Sequence, residues 1–305
     1  MASPQLGIFA VGTSAQLYLE FDRDPRAGAR DFVRAVLDTD EPGSTVGGVN
    51  IVLGLRPELL AEVAPEYLIS DVRGFNEPIV GPDGVTLPAT QHDAFVWIAG
   101  ASPDAVFTVG ARLSRTLTGI ATLADEVIGW SFQHNRDLTG FQDGTENPTL
   151  VRAPSLIAVP DGQPGAGGCV LLVQKWRHRT EAWTALNDRQ QELVIGRTKP
   201  DSVELADDVK PASSHVARSV VEQDGAELDI FRRNSPYGGV REHGTMFVGF
   251  SVDQHRLDRM LKRMAGVEDG IRDALTLYTT ALTGAYYICP SSEAITALRP
   301  PAPTD

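Results

Sequence analysis

The sequence predicts an α+β fold made of two ferredoxin-like subdomains, each an antiparallel sheet with peripheral helices. Three observations predict it. A hydrophobic fraction of 42% beside 22% charged residues is enough for a packed core. A length of 305 residues suits one large or two ordinary domains. The strand-like and helix-like segments run in the order β-α-β-β-α-β, roughly twice, which is the ferredoxin-like pattern with helices segregated from antiparallel strands. The halves divide into residues 1–133 and 134–305, and they share no self-identity, so the repeat rests on pattern alone.

In the first half, residues 16–22 alternate Leu17, Leu19 and Phe21 with mixed neighbours and read as a strand. Residues 25–37 place Phe32, Val33, Val36 and Leu37 at helical spacing. Residues 46–55 are β-branched and read as a second strand, and 57–63 as a short helix. The Pro/Gly-rich stretch 76–89 is expected to be a loop. Residues 94–99 form an apolar strand and 123–132 the last one. Between them 104–117 is helical, with Ser102 at the cap and Pro103 in the first turn.

In the second half, 169–176 is a strong strand, 181–186 and 189–195 are short helices, and 198–214 is a polar loop. Residues 228–231 and 245–251 read as strands, 254–264 and 270–282 as helices, and 285–288 as a short final strand. The tail 298–305 holds three prolines and no apolar anchor, and is expected to be mobile.

The net charge of -13 argues against a nucleic-acid partner, because phosphate binding needs a surplus of Lys and Arg. It disfavours anionic lipid equally, and leaves room for a small anion held by a local basic pocket. No apolar run approaches the ~20 residues of a membrane span. The N-terminus lacks a basic region followed by a long apolar one, so a soluble, cytoplasmic protein is expected. Cys169 and Cys289 are too few for a disulfide framework and read as buried thiols of a reducing compartment.

One segment stands apart: Gly140-Phe141-Gln142-Asp143-Gly144-Thr145-Glu146-Asn147-Pro148. Two glycines bracket an aspartate, so the carboxylate can lie against a flat ligand where side chains would otherwise intrude. Taken alone, such a stretch is more often an Asx-type turn. A second segment is Lys210-Pro211-Ala212-Ser213-Ser214-His215-Val216-Ala217-Arg218, and a third is Ile230-Phe231-Arg232-Arg233-Asn234-Ser235-Pro236-Tyr237-Gly238. A lone His is usually a surface or satisfied core residue, and a double Arg usually a solvated face. Order and co-occurrence single these out: Asp, then His, then Arg-x-Asn, each in its own Gly/Pro/Ser-marked setting.

Together with Gly244-Thr245-Met246-Phe247-Val248-Gly249-Phe250, these segments resemble the dye-decolourising peroxidases, and among them the compact bacterial B-type branch. Val194-Ile195-Gly196-Arg197-Thr198-Lys199 and Thr283-Gly284-Ala285-Tyr286-Tyr287 extend the likeness, which covers residues 132–290. The N-terminal half matches in length and pattern only. The resemblance implies a fold of the dimeric α+β barrel type with one haem b (iron protoporphyrin IX), held mainly by the C-terminal subdomain. It implies a haem peroxidase that reduces hydrogen peroxide and oxidises small aromatic or dye donors through a ferryl intermediate.

By the same resemblance His215 corresponds to the proximal iron ligand, Asp143 to the distal carboxylate, Arg232 to the distal guanidinium and Asn234 to a further distal polar group. Arg232 is preferred to Arg233 because the family pattern is Arg-x-Asn. Arg197 corresponds to a haem-propionate partner, and Gly144, Thr145 and Phe247 to haem contacts. Asp273 is taken as the carboxylate that hydrogen-bonds His215, on a looser motif. Relatives are commonly oligomeric, which makes a homo-oligomer the expectation.

The chemistry is coherent on its own terms. A proximal imidazole that donates its other N–H to a carboxylate becomes a more basic ligand. Opposite it, a carboxylate of suited pKa moves a proton between the peroxide oxygens, a step typically worth about 10²–10⁴-fold. A guanidinium stabilises the charge that develops, since it stays protonated. Bulky dyes would need surface relays, for which Trp130, Trp176, Trp183, Tyr237, Tyr278, Tyr286 and Tyr287 are candidates, each more commonly a packing residue. Glu146 alone is weak evidence for a manganese site. His92, His134, His178, His243 and His255 have no metal-ligand spacing.

Three other readings compete with this one. A chlorite-dismutase-like haem enzyme would share the His and Arg but needs no distal carboxylate. A haem-binding or iron-release module would bind haem without turnover. Packaging as cargo in a protein shell would call for a docking peptide, and residues 297–305 carry no apolar motif of that kind.

Overall fold

A computed structural model describes residues 2–39, 48–133, 135–223 and 225–299. His134, the first two residues of the 46–55 segment and the end of the tail, 300–305, lie outside the described residues.

The first half runs β1 (Ala15–Arg23), α1 (Ala29–Leu37), β2 (Asn50–Leu55), α2 (Pro57–Val63), a small hairpin of β3 (Ile79–Val80) and β4 (Thr86–Leu87), β5 (Ala94–Gly100), α3 (Pro103–Thr116) and β6 (Ala121–Trp130). The second half runs α4 (Ala153–Ile157), β7 (Cys169–His178), α5 (Thr180–Thr184), α6 (Asp188–Ile195), α7 (His215–Ser219), a hairpin of β8 (Glu222–Gln223) and β9 (Ala226–Glu227), β10 (Phe231–Gly238), β11 (His243–Ser251), α8 (Gln254–Met264), a 3₁₀ turn Ala274–Leu277, β12 (Thr279–Ala281), β13 (Ala285–Cys289) and α9 (Ser292–Leu298).

The sheet order is β11-β10-β6-β1-β5-β2-β13-β7-β12, with a further β11–β7 pairing. Within it β6-β1-β5-β2 and β10-β11-β7-β13 each have the strand order of a ferredoxin-like unit. The two sheets are not separate, as the sequence pattern suggests, but one closed antiparallel barrel. The seams are single pairs, Tyr237 with Gly129 and Ile288 with Leu55. Joining the sheets removes the edges that each would expose alone. At the first seam the strands approach closely: a Cβ on Gly129 would lie 2.4 Å from Ser235 Oγ.

Strand alternation sorts the side chains between two cores. Inside the barrel lie Tyr18, Phe95, Trp97, Val173, Phe231, Val248, Phe250 and Tyr287. Their rings stack, Tyr18 on Trp97 at 5.9 Å and Phe95 on Tyr287 at 5.5 Å. Outside it, helices cover the sheet. α1 buries Phe32, Val33, Val36 and Leu37, and α8 buries Leu257, Met260, Leu261 and Met264, the i, i+3, i+4, i+7 stripe of an amphipathic helix. Asp253 caps α8, accepting from Arg256 N at 3.0 Å.

Three local expectations are corrected. Residues 270–282 are not a helix: Asp273 caps a 3₁₀ turn through Leu275 N, and 279–281 join β7 as β12. The expected strand 228–231 ends where β10 begins, because the Arg-Arg-Asn-Ser-Pro run reads as loop yet pairs with β11 throughout. Pro236 is tolerated there because β10 meets β6 at only one position, leaving that edge nearly free of ladder bonds. Leu298, placed in the tail by sequence, ends α9, which Ser291 caps.

Candidate active site

β10 presents Arg232 and Asn234 to one face, and Phe231, Ser235 and Tyr237 to the barrel interior. Arg233 faces inward too: its guanidinium lies 5.1 Å from the Trp97 ring centroid. The period of two therefore separates the adjacent arginines. On the neighbouring strands Thr245 and Phe247 of β11 and Gln174, Trp176 and His178 of β7 share the outer face with Arg232. Above that floor stand α7, α8 and the loop 137–146, enclosing about 1080 Å³ of empty space with its open mouth included. Asp143, Gly144, Thr145, Arg197, His215, Arg232, Asn234 and Phe247 all line this one cavity.

His215 opens α7, directly after its cap Ser214, whose Oγ accepts from Ala217 N. Its Nδ1 lies 2.7 Å from Asp273 Oδ2. Asp273 is fully buried and fixed on all sides. Its N–H donates to Met264 O at 3.0 Å, its Oδ1 accepts from Leu275 N at 2.9 Å, and Ala274 N–H donates to Ser213 O at 2.7 Å. A carboxylate at Nδ1 selects the tautomer that carries its proton there, which leaves the Nε2 lone pair for the cavity.

In the same cavity, Asp143 sits between Gly140 and Gly144. Gly144 has φ +73°, a left-handed conformation that favours glycine, and a Cβ on it would press on Asn147 Nδ2 at 3.0 Å. Asp143 Oδ1 accepts from Asn234 Nδ2 at 2.7 Å. Burial pushes the Asp143 carboxyl above the usual carboxylate range; Asp137 adds to this, while Arg232 and the Asn234 hydrogen bond oppose it. Arg232 is desolvated, which lowers its pKa, and Asp143 counteracts this. Arg232 Nε, Asn234 Oδ1 and Gln174 Nε2 are buried polar atoms with no partner. Unsatisfied groups of that kind collected in one cavity call for a ligand.

Arg197 follows Gly196, which closes α6 in a left-handed conformation. Its Nη1 donates to Ser202 O at 2.6 Å, and its Nη2 pairs with Glu146 and, at 3.4 Å, with Glu204. It thus ties the Asp143 loop to the rim.

Sequence reasoning missed Asp137, Gln174 and His178, which line the same cavity. Burial holds Asp137 above its ordinary range. Burial, with His243 nearby, brings His178 down to about 4, so it is neutral near pH 7. The signal available was the alternation of 174, 176 and 178, hidden by the continuous apolar run before it. Asp143, Gly144, Arg232, Asn234 and Thr245 also border a neighbouring space of about 1370 Å³ with Trp130, Asn135 and Arg136.

A family model described as Dyp-type peroxidase, C-terminal, matches residues 134–294. The chain belongs to the Dyp-type peroxidase family. This Dyp-type chain is 43% identical over 224 residues to the dye-decolorizing peroxidase of Mycolicibacterium paratuberculosis, a match covering 72% of this chain and 63% of that protein. It is 40% identical over 211 residues to the dye-decolorizing peroxidase of Mycobacterium tuberculosis, covering 68% and 63%. The match thus spans somewhat less than two thirds of each relative's length. Among solved structures, DypB from Rhodococcus jostii RHA1 superposes with a TM-score of 0.89 at 33% identity, over 96% of this chain and 97% of that one. A variant of the same DypB, in complex with heme, superposes at 0.87 and 33% identity, over 94% and 97%. The α+β fold expected from sequence is thereby borne out.

Proposed function

We propose that this Dyp-type chain is a haem b peroxidase that reduces hydrogen peroxide and oxidises small aromatic donors. The observation that carries the reading is that one cavity is lined by an imidazole backed by a carboxylate, by a buried carboxyl and by a desolvated guanidinium. The cavity suits haem. Ile195, Val216, Phe247, Met260, Met264 and Leu275 give it apolar walls, and Arg197, paired here with Glu146 and Glu204, would have to exchange a carboxylate for a propionate. His215 would hold the iron through Nε2, and the buried atoms of Arg232 and Asn234 lack a partner that peroxide oxygen would provide.

Haem, when bound, supplies the iron at which the peroxide O–O bond breaks. Asp143 takes the proton from the nearer peroxide oxygen and delivers it to the departing one. Arg232 stabilises the charge that builds on the departing oxygen, in a desolvated setting where that charge is felt strongly. Asn234 orients Asp143 through its 2.7 Å hydrogen bond. Asp273 holds His215 in one tautomer and raises its basicity.

This reading includes division into an N-terminal subdomain, 1–133, and a C-terminal haem-binding one, 134–305, supported by the two strand orders. It includes a cytoplasmic, homo-oligomeric protein. Among the described residues no helix is long and apolar enough to cross a membrane. The test is an absorption spectrum of haem-loaded protein with and without peroxide. A Soret band that shifts with peroxide and returns on adding an aromatic donor is expected. Haem binding without donor turnover would turn the reading into a haem carrier.

A further inference from the structure

Arg232 sits on a strand that is laddered on one side only. β10 pairs with β11 from Phe231 to Gly238, but meets β6 at Tyr237 alone. At Arg232 the missing neighbour is replaced by a single side chain. Asn147 Nδ2 donates to Arg232 O at 2.7 Å, and Arg232 N–H donates to Asn147 Oδ1 at 2.8 Å. A carboxamide offers one donor and one acceptor, the same pair a strand residue presents to its neighbour.

Asn147 belongs to the loop that carries Asp143. Its N–H donates to Gly144 O at 3.0 Å. Pro148 disfavours a helical backbone at Asn147, so the turn stops there. Asp143 has a matching clamp: its N–H donates to Asn135 O at 3.0 Å, and Asn135 Nδ2 donates to Asp143 O at 3.1 Å. The two reacting side chains come from segments 89 positions apart, and the Asn147 carboxamide bonds one segment's backbone to the other.

We infer that Asn147 is a positioning residue that registers Arg232 against Asp143, so that guanidinium and carboxyl keep one spacing across the cavity. The inference rests on the peroxide-cleaving role of those two groups. Asn147 touches neither peroxide nor haem in this scheme and acts through Arg232. Loss of the clamp lets the open edge of β10 shift, and a displacement near 1 Å in such a site costs roughly 10²-fold in rate.

The experiment is a double-mutant cycle on haem-loaded protein, read by the second-order rate with hydrogen peroxide and by fluoride affinity of the ferric form. Asn147→Ala should slow the peroxide reaction ~10²-fold and weaken fluoride binding, with the same substitution nearly silent, within about twofold, in an Arg232→Leu background. Equal losses in both backgrounds would mean that Asn147 acts through loop folding, and no loss in either would mean that the clamp is idle; each overturns the inference. An Arg232→Leu rate equal to the parent's would overturn the peroxidase roles instead. If Asn147→Ala does not load haem, Asn147→Ser takes its place in the cycle. Failure of both to load haem makes Asn147 a folding residue and ends the proposal.

Discussion

His215 Nδ1 and Asp273 Oδ2 meet at 2.7 Å, and the other oxygen of that carboxylate is spent capping a 3₁₀ turn through Leu275 N. The imidazole is thus anchored to a rigid, solvent-free acceptor while its remaining nitrogen is left free. Two substitutions separate the roles. In the proposed scheme His215→Ala removes the iron ligand, and most stable haem binding with the five-coordinate ferric spectrum should go with it. Asp273→Asn keeps a hydrogen-bond acceptor but not the charge. It should lower haem affinity by about 10–100-fold and raise the midpoint potential, as a less basic imidazole does. Spectroelectrochemical titration checks this; an unchanged potential would show that Asp273 only braces the turn.

Arg232→Ala should slow the reaction with peroxide more than Asp143→Ala does. In the proposed mechanism Arg232 stabilises separated charge, whereas water would partly replace Asp143 as proton carrier. Stopped-flow mixing ranks them, and a larger loss in Asp143→Ala reverses the assignment. The same measurement carries a pH signature. Because burial raises the Asp143 carboxyl, the rate should fall as pH drops through a pKa above the ordinary aspartate range. In Asp143→Asn that acid limb should vanish.

That Asp143, His215 and Arg232 share one cavity is legible in the sequence because each lies in its own Gly-, Ser- or Asn-marked motif, in a fixed order. Other features depend on partners distant in sequence. Arg232 and Arg233 are chemically alike, and only the strand register against β11 and the ring of Trp97 tells them apart. β12 lies within the stretch 270–282 that reads as a helix, but it pairs with Trp176, Arg177 and His178 of β7. The continuous run Val170–Val173 is buried on both faces and masks the short alternation of 174, 176 and 178 that turns Gln174 and His178 to the cavity. Closure into a barrel rests on two single-residue seams, which no local pattern encodes.

Arg233→Met tests the division of the two arginines. Its guanidinium stacks on Trp97 and donates to Ile8 O at 3.3 Å, inside the barrel. The substitution should cost roughly 0.5–2 kcal/mol of stability from the lost cation–π contact. The peroxide rate should fall far less than in Arg232→Ala. Denaturant melts and stopped-flow rates measured on the same samples decide it. A rate loss matching that of Arg232→Ala would mean that strand alternation does not divide the work as described.

The barrel interior carries its own pH dependence. Tyr287 Oη donates to Glu20, and burial raises the Glu20 carboxyl to about 7, with Asp125 and Asp22 adding and the Tyr287 bond and His92 opposing. In the unfolded chain the group titrates near 4.5. Between those values the folded state holds a proton that the unfolded state has released, so stability falls as pH rises through this window. The contribution is complete below the unfolded value and gone above the folded one. Glu20→Gln keeps an acceptor for Tyr287 without a charge to bury. The parent should therefore lose roughly 3 kcal/mol relative to Glu20→Gln between about pH 4 and pH 8. Denaturant melts at the two pH values measure the difference, and parallel curves for parent and variant would show that Glu20 ionises without cost inside the barrel.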